Sequence, residues 1–125
     1  MRYVIISDLH ANLPAWERVL ADIRGQGVEE IVCLGDVVGY GPNPSEVLRG
    51  VRGATRNFVL GNHDAAAAGM MDYSIFNDHA RQAIEWTMGK LNAEAKTFLS
   101  AVPLAIEAGD VLFVHAEIAV PGRFD

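Results

Sequence analysis

Short apolar, β-branched runs alternate with stretches of helical periodicity along this chain, and that alternation points to a layered α/β structure. Residues 2–6 read as a strand. Residues 13–24 then bring Leu13, Trp16, Val19, Leu20 and Ile23 onto one helical face, opening near Pro14 and closing at Gly25 and Gly27. A second strand follows over residues 29–34, a short helix over 44–49 with Pro44 in its first turn, and a third strand over 57–60. The order at this point is β-α-β-α-β. The alanines at 65–68 start a helix, and residues 74–88 form an amphipathic one carrying Ile75, Phe76, Ala80, Ala83, Ile84 and Trp86. Asn92 caps a further helix over 93–101. After Pro103, strands over 104–107 and 111–115 meet at a tight turn through Ala108, Gly109 and Asp110, which makes a hairpin. Trp16, Trp86 and the phenylalanines are expected in the core.

A chain of 125 residues, half of them apolar, suffices for one domain over 1–125 around a single core. The net charge of −6 comes with no basic run or stripe, which argues against non-specific nucleic-acid binding. Cys33 is the lone cysteine and lies in the apolar run 31–34. It reads as a small buried hydrophobe, in keeping with a reducing cytoplasm. No apolar run is long enough to span a bilayer. Residues 1–6 pass straight into Ser7, Asp8 and His10 with no cleavage signal, so neither a signal peptide nor a membrane partner is expected.

Four polar clusters stand at the C-terminal ends of the expected strands: Asp8-Leu9-His10, Gly35-Asp36, Gly61-Asn62-His63-Asp64 and His115. Ligands bind along that edge in open α/β sheets. Taken singly, each cluster has a plain explanation. Asp8 and Asp36 can cap helices, Asn62 can supply a turn, and His115 can be a satisfied core histidine. Recurrence carries the weight, since successive strands deliver carboxylate, amide and imidazole to one edge. Such a mixed oxygen and nitrogen set suits manganese, iron, zinc or magnesium. Gly35 and Gly61 precede polar residues where the chain must turn sharply or approach another segment closely. Asp78 and His79 fall within the helix over 74–88 and read as its solvated face.

Asp8-x-His10, Gly35-Asp36, Gly61-Asn62-His63-Asp64 and Val114-His115-Ala116 together resemble the motifs of the calcineurin-like metallophosphoesterase superfamily, in the family's order. The run from Gly35 through Tyr40 to Pro44, and Ala83-Ile84-Glu85-Trp86-Thr87, are similar to the small bacterial and archaeal phosphoesterases. The resemblance implies an α/β fold of the layered αββα sandwich type. It also implies a hydrolase that cleaves a small phosphodiester or phosphomonoester with water activated by two divalent metal ions, manganese foremost, with iron, zinc, magnesium or nickel as alternatives. On that resemblance Asp8 and His10 bind the first metal, Asp36 bridges both, and Asn62 and His115 bind the second. His63 serves the leaving oxygen, and Asp64 orients His63 and favours its protonated form. Tyr40 and Asn43, which come soon after the bridging aspartate, are candidates for substrate contact.

Two departures from the family pattern matter. Val37-Val38-Gly39-Tyr40 follows Asp36 and Asp64 follows His63, where the protein-phosphatase branch has Asp-Arg-Gly and a glutamate, so a protein Ser/Thr phosphatase is disfavoured. The family's downstream Gly-His-x-His element is not found before Asp125. The fold is therefore expected to be incomplete, with an apolar sheet face exposed or covered by another copy in a homo-oligomer. The rival reading is a non-catalytic metal-binding or interaction module. A nuclease is disfavoured by the acidic charge.

Overall fold

The structure, a computed structural model, describes residues 2–28 and 30–116. Elements follow in the order β1 (Tyr3–Ile6), α1 (Leu13–Arg24), β2 (Glu30–Cys33), α2 (Pro44–Ala54), β3 (Asn57–Phe58), α3 (Asn62–Ala67), α4 (Asp78–Lys90), α5 (Ala93–Ala101), β4 (Ala105–Ala108) and β5 (Val111–Val114). Residue 29, the expected first residue of the second strand, and Phe124 lie outside the described residues.

Asparagines set three helix starts. Asn12, Asn77 and Asn92 accept from the backbone N–H groups of Ala15, Ala80 and Ala95 at 3.1, 2.9 and 2.8 Å. Each bond satisfies a donor that a helix start leaves free. The cap at Asn77 places the start of α4 four residues later than residue 74. Ser74 instead donates its N–H to Asp72 Oδ1 at 2.9 Å in a turn, and Ile75 is 81% exposed. α2 runs five residues past the expected end because Val47, Leu48 and Val51 continue one buried stripe. Gly50 lies where a Cβ would strike the Trp16 indole, so it is a packing notch within the helix.

β1, β2 and β3 form a parallel sheet in that order, with Ile6 beside Cys33 and Cys33 beside Phe58. Period-two alternation divides its faces. Ile6, Cys33 and Phe58 turn toward the helices and join Trp16, Leu48, Ile84 and Leu99 in the main core. Val32 and Val59 turn the other way, with Tyr3, onto Phe113 and Ile106 of the antiparallel β4–β5 hairpin. Tyr3 meets Phe113 edge-on at 5.4 Å. The described residues thus build a helical layer, a parallel sheet and a second, two-stranded sheet. Cys33 is fully buried and free. No described helix is long and apolar enough to cross a membrane.

Trp86 corrects the sequence expectation. The buried positions of α4 are Ala80, Ile84 and Thr87, whereas Trp86 is 45% exposed with the Lys90 ammonium 5.5 Å from its ring. Residues two apart on a helix stand about 200° apart, so Ile84 and Trp86 cannot share one face.

The hairpin covers only part of the sheet face it packs on. Ile5, on the same side of β1 as Tyr3, is 54% exposed, and Val111 and Leu112 are 47% and 49% exposed. This chain is expected to bind an apolar-surface dye and to self-associate in light scattering. The double variant Ile5→Thr, Leu112→Lys should reduce both. Monomeric behaviour without dye binding would contradict the expectation.

Candidate metal centre

Beyond the ends of β1 and β2, two loops continue side by side. Asp8 N–H donates to Gly35 O at 2.9 Å, His10 N–H to Asp36 O at 2.9 Å and Ala11 N–H to Val37 O at 2.7 Å. Among the described residues, the non-glycine positions with positive φ all lie in these loops: Asp8, His10, Ala11, Asp36 and Tyr40, at 46° to 62°. Each such conformation costs about 1–3 kcal/mol and persists where its surroundings enforce it, commonly at functional sites.

Asp36 is central and 3% exposed. Its Oδ1 accepts the His63 backbone N–H at 3.0 Å. Its Oδ2 lies 3.6 Å from His10 Nε2 and 3.3 Å from His115 Nε2. Asp8 Oδ1 is 3.4 Å from His10 Nε2, and Asn62 Oδ1 is 3.2 Å from His115 Nε2. Ser7 Oγ, to which the sequence assigns no role, donates to the other Asp8 oxygen.

Both imidazoles are held from behind. His10 Nδ1 lies 3.0 Å from Val38 O and His115 Nδ1 lies 2.7 Å from Leu34 O. A carbonyl only accepts, so Nδ1 carries the proton in each ring and Nε2 faces the carboxylates. An acceptor nitrogen facing acceptor oxygens needs a proton or a cation between them. Asp36 is the main cause that raises His115 to about 9, so a proton fills that role when no cation does. Burial, the largest single influence, would raise Asp36, but the His115 ring together with His63 outweighs it and holds the carboxyl below its ordinary range. A backbone carbonyl that fixes the tautomer and orientation of a ring is the usual support of a metal-ligating histidine. Sequence motifs give no sign of it, because any residue supplies a carbonyl.

Asp8, Asp36 and His115 each offer a ligand atom, mutually within 4.8 Å, as do His10, Asp36 and His63. Asp36 belongs to both sets. The donors fit divalent ions that accept mixed oxygen and nitrogen ligands.

His63 is 8% exposed, and its Nδ1 has no hydrogen-bond partner among the described residues. Its ring lies between Tyr40 and Phe76, at 5.0 and 4.9 Å, and edge-on to His10 at 4.9 Å. Burial is the main cause that lowers its pKa. Asp64, expected to orient this ring, makes no hydrogen bond to it among the described residues. Its carboxylate accepts instead from the backbone N–H groups of Asp36, Val37, Val38 and Gly61, at 2.8, 3.0, 3.2 and 3.1 Å. As the third residue of α3, Asp64 points back beneath the β2–α2 loop, away from the centre that His63 faces. Burial first, then the Asp36 charge, pushes its carboxyl up to about 6. Asn43, a candidate for substrate contact, donates its Nδ2 to Glu46 Oε2 at 3.2 Å. Tyr40 stands at the centre, edge-on to His10 at 5.0 Å and 51% exposed. Phe76, which the sequence marks only by its helical spacing, forms the wall behind His63.

Gly39 has φ +94°, and a Cβ there would lie 2.7 Å from His63 Nδ1. Gly39→Ala is expected to cost about 1–3 kcal/mol in urea unfolding. Gly53→Ala in α2, where a Cβ meets nothing within 4 Å, should instead stabilise by roughly 0.5–1 kcal/mol. Equal effects from the two would contradict the constraint at Gly39.

The chain is 41% identical over 116 residues to the uncharacterized protein MJ0912 of Methanocaldococcus jannaschii, covering 90% of this chain and 48% of that protein. Phosphodiesterase YfcE of Escherichia coli is 45% identical over 42 residues, 34% of this chain and 23% of its own length. The crystal structure of a metallophosphoesterase from Sphaerobacter thermophilus superposes with a TM-score of 0.74 at 44% identity, covering 90% of this chain and 45% of that one. The chain thus spans about half the length of MJ0912 and of the Sphaerobacter protein. The family model of calcineurin-like phosphoesterases matches residues 1–123, and the chain belongs to that family.

Proposed function

We propose that this protein hydrolyses a phosphate ester with water, at a centre built for two divalent metal ions. One observation carries the reading. His10 and His115 are each tied through Nδ1 to a backbone carbonyl and turn Nε2 toward the same Asp36 oxygen. Asp8, His10 and Asp36 would hold one ion and Asp36, Asn62 and His115 the other, with manganese the first metal to test and iron, zinc, magnesium or nickel the alternatives. When bound, the pair supplies an acidified water and takes up charge on the phosphoryl oxygens.

The remaining work falls to the chain. His63 stands beside His10 and Asp36 with its ring fixed by Tyr40 and Phe76, in place to hydrogen-bond or protonate the leaving oxygen. Asp64 is a positioning residue that ties the Asp36 loop to the start of α3. YfcE is named a phosphodiesterase, so a diester is the first substrate to offer. The buried free Cys33 supports a reducing compartment, the cytoplasm.

Hydrolysis of bis-p-nitrophenyl phosphate should stop on chelation and return on adding manganese. Turnover that persists through chelation would overturn the proposal. Manganese binding with no hydrolysis of this diester or of p-nitrophenyl phosphate would favour the metal-binding module.

A further inference from the structure

A shallow groove of about 380 Å³ runs between the loop at Tyr40 and one stripe of α4, lined by Tyr40, Pro42, His79, Gln82 and Trp86 among others. His79, Gln82, Ala83 and Trp86 follow the helical spacing i, i+3, i+4, i+7, so they form a single continuous wall. The opposite wall is rigid. Gly41 N–H donates to His10 O at 3.1 Å and Asn43 N–H to Ala11 O at 2.9 Å, and a Cβ on Gly41 would strike the His10 carbonyl. Tyr40 itself is held at φ +62°, a conformation a bulky residue adopts only under constraint.

Two large aromatic side chains therefore remain about half exposed on this one groove, Tyr40 at 51% and Trp86 at 45%. The groove begins at the metal centre, because the Tyr40 ring contacts both His10 and His63. Among the described residues its lining carries no aspartate, glutamate, lysine or arginine, with the Lys90 ammonium 5.5 Å from the Trp86 ring, and its polar groups include the Gln82 carboxamide, the His79 ring and the Tyr40 hydroxyl. Aromatic walls with in-plane donors and acceptors suit an uncharged, flat heteroaromatic ring, which stacks on such side chains. We infer that this groove binds the base of a nucleotide ester whose phosphate lies at the centre formed around Asp36. The inference rests on the phosphoesterase reading and names its substrate class. It also gives a role to Trp86 and His79, which neither the core nor the metal centre uses.

Fluorescence tests the groove without turnover, because Trp16 is buried at 3% exposure and Trp86 is the solvent-facing fluorophore. Adenosine and adenosine 5′-monophosphate should quench the emission saturably, whereas ribose 5-phosphate should not. Trp86→Leu, a surface change that leaves the core intact, should remove the quench and weaken calorimetric binding of adenosine 5′-monophosphate by about tenfold. Unchanged affinity in Trp86→Leu, or equal binding of ribose 5-phosphate, overturns the inference. The two readings fail separately. Quenching by adenosine without hydrolysis of any ester keeps the groove and sinks the phosphoesterase reading; metal-dependent hydrolysis without base-dependent binding sinks the groove alone.

Discussion

Asp36→Asn is expected to abolish metal-dependent hydrolysis while leaving the protein folded. The loss should exceed about a thousandfold, since outer-shell groups around a metal already cost about 10–100-fold when removed and Asp36 would be a ligand shared by two ions. Asparagine keeps the volume of the side chain and an oxygen for the His63 backbone N–H, which Asp36 now meets at 3.0 Å. It removes the charge that His10 and His115 both face, at 3.6 and 3.3 Å. With no metal present, relief of the desolvation is offset by loss of the His115 pair that holds the Asp36 carboxyl below its ordinary range, so a loss of about 1–3 kcal/mol is expected in urea unfolding. Activity and stability are thereby separated. An Asp36→Asn protein that keeps a tenth or more of the parent turnover would remove Asp36 from the mechanism.

Asp64→Ala should have the largest effect on folding. The carboxylate is 2% exposed and accepts four backbone N–H groups, from Asp36, Val37, Val38 and Gly61. Each donor stranded in a buried place costs about 1–3 kcal/mol. Part of that is recovered because the Asp36 charge would no longer face a second buried carboxyl, so a net loss of at least about 3 kcal/mol is expected in urea unfolding. Asp64→Asn should fall between, since its oxygen still accepts while its amide nitrogen cannot. Had Asp64 served chiefly to orient His63, both variants would lose rate at unchanged stability. Values within about 0.5 kcal/mol of the parent would contradict the clamp.

The alternation of strands and helices and the Asn92 cap were legible in the sequence, because local hydrogen bonding and hydrophobic period decide them. So was the gathering of Asp8, His10, Asp36, Asn62, His63 and His115. Parallel strands deliver the residues beyond their C-terminal ends to one edge, and β5 brings His115 there from the second sheet. The features the sequence hid depend on direction in space. Asp64 is adjacent to His63, yet one step along a helix turns a side chain by about 100°, and that step carries Asp64 beneath the loop. Trp86 went astray for the same reason, compounded by a start of α4 that only the Asn77 cap fixes. The carbonyls of Leu34 and Val38 behind the two histidines have no signature in residue type.

The central claim is that Asp36 joins two metal ions in one centre, and manganese electron paramagnetic resonance reads it directly. Titrating the metal-free chain should give an exchange-coupled dinuclear signal that reaches its maximum at two equivalents and disappears in Asp36→Asn. A signal from isolated ions only, or saturation at one equivalent, would contradict the account.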